Sequence, residues 1–106
     1  MVRTAAAILV HLLATPVVSE TIDVAGTGGV DLDRFECRDI TRSSIVQRVC
    51  YAPAQRHLIV AVRGAYEQYC NLPAETFGAM TAAPSMGQFY NRNVRGASGA
   101  RFACRN

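Results

Sequence analysis

Cys37, Cys50, Cys70 and Cys104 are the thiols of this 106-residue chain, and thiols support three chemistries: nucleophilic attack, metal ligation and disulfide formation. Nucleophilic attack needs a base at hand. Past the apolar N-terminal run the chain has a single histidine, His57, which follows Arg56 in a turn-like stretch after Pro53, where a solvated ring is the plain reading. Structural zinc favours ligand pairs about two to four residues apart, and these four cysteines lie much farther apart, so no metal is expected. An even number of cysteines in a small chain reads as a disulfide framework. Three pairings are open to it. We favour Cys37 with Cys50, which ties the N-terminal segment to the first strand, leaving Cys70 with Cys104 to hold the C-terminal tail.

No other constellation points to catalysis. The sequence contains neither a nucleophile elbow nor an H-E-x-x-H helix. The Gly-Thr-Gly-Gly run from Gly26 to Gly29 lacks the Lys-Ser/Thr that completes a phosphate-cradling loop, and it reads as a link. No cofactor is expected and the chain is not expected to be an enzyme.

The arginines are the remaining chemistry. All eleven basic residues are arginine, a planar donor fork suited to carboxylate or phosphate, although a GC-rich genome accounts for such usage equally well. Arg92, Arg95, Arg101 and Arg105 follow Ser85 in a stretch without carboxylates that also holds Phe89, Tyr90 and Phe102, whereas Glu20, Asp23, Asp31, Asp33, Glu36 and Asp39 crowd residues 20–41. Two readings follow: the acidic and basic ends neutralise one another within the fold, or the basic end faces a ligand.

The first residues read as an export signal. Met1 to Arg3 make a short positive start, and AAAILVHLLATPVV is an apolar run of a signal peptide's length, too short for a membrane-spanning helix. Val17 and Ser19 are small enough for the cleavage pockets. We therefore expect a signal peptide over 1–19, an extended acidic arm over 20–42 and one domain with a C-terminal tail over 43–106. The product would be periplasmic or secreted, with no transmembrane segment in the mature chain.

These groups need a scaffold. Ile45, Val49 and Tyr51 alternate onto one face, as do Leu58, Val60 and Val62, and Gly64 turns the chain into a third strand ending near Tyr69. Pro73 opens a helix carrying Phe77 and Met80 on one side, and Pro84 stops it. Ser85 with Gln88 has the capping-box spacing, so a second short helix carries Phe89, Tyr90 and Val94 inward until Gly96. The expectation is an α+β fold: a three-stranded antiparallel meander followed by two short helices, with an extended N-terminal arm, stapled by disulfides.

The runs SSIVQRVCYAP, YEQYCNLP and APSMGQFYNRNVRG, from Ser43 to Gly96, resemble the KTSC domain, a short module found at the C-terminus of some lysyl-tRNA synthetases and alone in bacterial proteins. The shared features are a Ser-Ser start, a tyrosine-rich third strand, an N-x-P helix start and a P-S-x-G-x-F-x-N…R-G stretch. The family's Y-x-Y is here Tyr66-Glu67-Gln68-Tyr69, so Tyr69 fits and Tyr66 is one residue out of step. Either a bulge brings Tyr66 round, or Glu67 takes the first tyrosine's place. The resemblance brings no established biochemical role with it, and the family's synthetase association suggests RNA binding.

Together these readings predict a small exported, non-catalytic binding domain with an unidentified protein or anionic ligand as partner. Tyr69, Asn91, Arg92 and Arg95 are its candidate binding residues. An RNA-binding module and a purely structural protein are the alternatives. Nucleic acid is not the expected partner, because export removes RNA from reach and the chain's net charge is only +3. Asn91 and Arg95, four apart, would share a helix face. A structural role there predicts that Arg95→Ala lowers the melting temperature by a few degrees; a binding role predicts loss of a partner instead.

Overall fold

A computed structural model describes residues 19–105 of the chain, so the expected signal peptide lies, except for Ser19, outside the described residues. Six strands form one mixed sheet: β1 (Thr21–Val24), β2 (Gly28–Asp31), β3 (Glu36–Asp39), β4 (Val46–Ala52), β5 (His57–Val62) and β6 (Ala65–Tyr69), in the order β2-β1-β6-β5-β4-β3. All neighbours are antiparallel except β1 and β6, which meet in parallel at Val24 and Tyr66.

This corrects the expected three-stranded meander with an extended arm. Strands β4, β5 and β6 are the middle of a larger sheet, and the acidic segment supplies the other three strands. Each of those is four residues long, near the lower limit for strands, and glycines and carboxylates mask the local signal. Tertiary contact decides them. Ile22 and Val24 share a core with Ile59 of β5 and Cys50 of β4, two and three strands away, so the sheet curls and the β1–β2 hairpin closes over its inner face. Cys37 and Cys50, opposite one another across β3 and β4, form one disulfide with Cα atoms 4.0 Å apart.

The outer face carries the helices. Strand β5 alternates Leu58, Val60 and Val62 outward and Ile59 inward, all buried, which makes it a central strand covered on both sides. A register shift between Val46 and Arg48 keeps Val46 on the same face as Val49 and Tyr51. Helix α1 (Ala74–Ala82) starts after Pro73, and Met80 is its fully buried residue. Helix α2 (Met86–Phe89) is capped by Ser85, whose Oγ accepts from the Gln88 amide at 3.3 Å. The backbone then widens into a π-helical turn over Tyr90–Arg95, closed by the Gly96 amide donating to the Asn91 carbonyl at 3.0 Å. The Cys70–Cys104 disulfide fastens the tail to the end of β6, beside the Cys70 amide's hydrogen bond to the Phe102 carbonyl. Among the described residues no helix is long and apolar enough to cross a membrane.

Candidate binding surface

Strand β6 pairs with β5 in unbroken register, from Val62 opposite Ala65 to Leu58 opposite Tyr69, so no bulge brings Tyr66 round. The strand's period of two sends Tyr66 to the inner face, where its hydroxyl accepts from Arg48 at 3.1 Å. Glu67 and Tyr69 take the outer face under the helices. The second aromatic there comes from the π-helical turn: Tyr90, fully buried, meets Tyr69 edge-on with centroids 5.8 Å apart and hydroxyls 2.6 Å apart. Tyr90 donates to Glu67 Oε1 at short range, and Tyr69, 3.1 Å from the same oxygen, shares its one proton between that carboxylate and the Tyr90 hydroxyl. Burial pushes the Tyr69 phenol up to about 12 and raises Tyr90 as well, with the Glu67 carboxylate reinforcing both. This network locks the second helical segment onto the sheet.

The acidic and basic ends of the chain do not pair. Glu20 accepts two hydrogen bonds from Arg48, at 2.6 and 2.8 Å, and Asp39 lies 3.7 Å from the same guanidinium. The Arg48 hydrogen bonds hold the Glu20 carboxyl below its ordinary range, and those with Glu20 and Tyr66 hold Arg48 more firmly protonated. Arg48 on β4 thus holds two of the arm's carboxylates, Glu20 and Asp39. Arg42 is also engaged internally, donating to the Thr81 and Ala83 carbonyls at the end of α1 at 2.7 and 3.0 Å. Arg92, Arg95, Arg101 and Arg105 are exposed, and among the described residues none forms an ion pair.

Two adjoining depressions lie at this end of the molecule, with volumes of about 300 and 250 Å³. Phe89 and Asn93 line both of them. Arg101 lines the first with Glu75 and the buried Phe102, and Arg92 lines the second with Ser85 and Gln88. Of the residues singled out from sequence, Arg92 therefore stands in the groove. Asn91 and Arg95 are exposed but do not line it, and Tyr69 lies half-buried against Tyr90 with Arg95 near enough to act on it electrostatically. Asn93 was not singled out. Its placement four residues after Phe89 was the available signal, since both fall on one side of a continuous helical segment.

His57 is half-buried at the start of β5. Its Nε2 faces the Gln68 side-chain oxygen at 2.9 Å and its ring packs edge-on against Phe35 at 5.1 Å. The Cys70 and Cys104 sulfurs lie near it, but they are joined to one another, and among the described residues no cysteine is free.

The KTSC domain family model matches residues 42–97. Among solved structures the chain is similar to a KTSC domain protein from Yersinia pestis, with 25% identity and a TM-score of 0.55, over 68% of this chain and 96% of that one. Among curated proteins none matches the chain.

Proposed function

The chain belongs to the KTSC domain family, and from that premise we propose that it is an exported, non-catalytic binding domain that engages an anionic partner through its arginine-bearing helical end. One observation carries the reading: Arg92, Arg95 and Arg101 are exposed and form no ion pair among the described residues, while Glu20 and Asp39 of the arm pair with Arg48 on β4. A guanidinium left in water at the rim of a groove keeps its donor fork for a ligand. The disulfides and the apolar N-terminal run support an oxidising, exported location.

The test is fluorescence polarisation with three labelled anions, polyglutamate, oligouridylate and a sulfated oligosaccharide, at physiological salt. At least one should bind, and the combined Arg92→Ala, Arg95→Ala and Arg101→Ala variant should lose it. Binding that ignores these substitutions, or no binding at all, would contradict the reading.

A further inference from the structure

The groove between Arg92 and Arg101 selects among anions. Its shared wall is Phe89, half-buried, and Asn93, exposed. Phe102 is only 6% exposed, which leaves Phe89 as the one accessible aromatic ring in the groove. Successive bases need successive stacking platforms, and one ring does not provide them. Glu75 lines the same depression as Arg101, a negative charge that a continuous phosphate backbone would have to pass. A peptide meets these groups differently. Its carboxylates are spaced along the chain and can reach Arg92 and Arg101 while leaving Glu75 clear, its backbone can both donate to and accept from the Asn93 carboxamide, and one apolar side chain can cover Phe89.

The geometry points to an extended acidic peptide, with an apolar side chain between its carboxylates, as the ligand seated across Phe89 between Arg92 and Arg101. This rests on the reading of the helical end as an anion-binding face. The groove is the part of that face with an apolar floor, and so the part able to read more than charge.

The test uses a labelled peptide of alternating Asp-Glu pairs and leucines, with polyglutamate of equal length and oligouridylate as comparisons, against the oxidised domain. The leucine-containing peptide should bind at least about tenfold more tightly than polyglutamate, and Arg92→Ala with Arg101→Ala should weaken it by about tenfold or more. Asn93→Ala should weaken it while leaving polyglutamate unchanged. Phe89→Ala should do the same, and Asn93→Ala keeps the test valid if Phe89→Ala fails to fold. Equal affinity for peptide and polyglutamate would overturn the inference, as would insensitivity to Asn93→Ala. If oligouridylate binds more tightly than the peptide at physiological salt, the groove inference fails in favour of nucleic acid while the anionic reading of this face stands. If no anion binds, both fail.

Discussion

Tyr90 shows how a single hydroxyl ties the helical segment to the sheet. It donates to Glu67 and shares a hydrogen bond with Tyr69, all beneath a fully buried ring. Tyr90→Phe preserves packing and removes the short hydrogen bond to the partly buried Glu67 carboxylate, which keeps the Tyr69 hydroxyl as its partner, at a cost of about 1.5–3 kcal/mol. Adding Glu67→Leu should recover part of that loss, because the under-satisfied acceptor leaves with it. Thermal melts of the single and double variants check both outcomes; additive losses would show that the three groups are not coupled. Arg95 contrasts with this. Exposed in the last turn of the π-helical segment and without an ion pair among the described residues, it acts on stability only through that terminal position, so Arg95→Ala is expected to cost no more than about 0.3–1 kcal/mol. The same network sets the alkaline limit. A Tyr69 phenol raised from 10.0 to about 12 holds its proton longer in the folded state than in the unfolded chain, so its contribution is complete below pH 10 and disappears as the pH rises towards 12. Ultraviolet titration should show tyrosinate from this pair appearing together with unfolding.

At the scale of elements, two turns respond to substitution in opposite ways. Arg63 and Gly64 form the two-residue link between β5 and β6 with φ of 52° and 86°, the left-handed pair that such hairpins require. Asparagine tolerates that conformation better than arginine, so Arg63→Asn should stabilise the domain by about 0.5–1 kcal/mol. Gly96 has an ordinary φ of −90°, yet a Cβ there would meet the Asn91 carbonyl oxygen at 2.5 Å. Gly96→Ala must open the π-helical turn, and it should cost about 1–3 kcal/mol. Chemical denaturation measures both. The turn also marks where sequence reading stopped. A capped helix after Ser85 was legible from Ser85 and Gln88, but the widening at Asn91 depends on Gly96 approaching its carbonyl, and nothing in the hydrophobic period signals that. Strands β4 to β6 were legible for the converse reason: Val49 with Tyr51, and Leu58 with Val60 and Val62, alternate without interruption. Strands β1 to β3 were not, since their burial comes from Ile22 and Val24 reaching Ile59 across the curled sheet.

The molecule as a whole depends on its covalent staples. The bridges close loops of 13 and 34 residues in sequence separation, each contributing about 3–4 kcal/mol on the chain-entropy account, comparable to the ~3–5 kcal/mol that the core of so small a domain supplies. Reductant should therefore abolish the cooperative melt seen by circular dichroism in the oxidised form. The two halves divide their labour: the N-terminal strands complete the sheet and place Glu20 and Asp39 beside Arg48, and the C-terminal segment leaves its arginines exposed and without ion pairs among the described residues. That division is what the binding proposal rests on, and the sequence left it open, since opposite charges at the two ends allow either mutual neutralisation or a basic end that faces a ligand. It is tested most directly by amide chemical-shift mapping of the oxidised domain during titration with the leucine-containing acidic peptide. The account predicts shifts confined to residues 85–105 and the start of α1, centred on Phe89, Arg92, Asn93 and Arg101, with β1 to β3 unmoved. Shifts centred on the acidic strands or around His57, or no shifts at all, would contradict it.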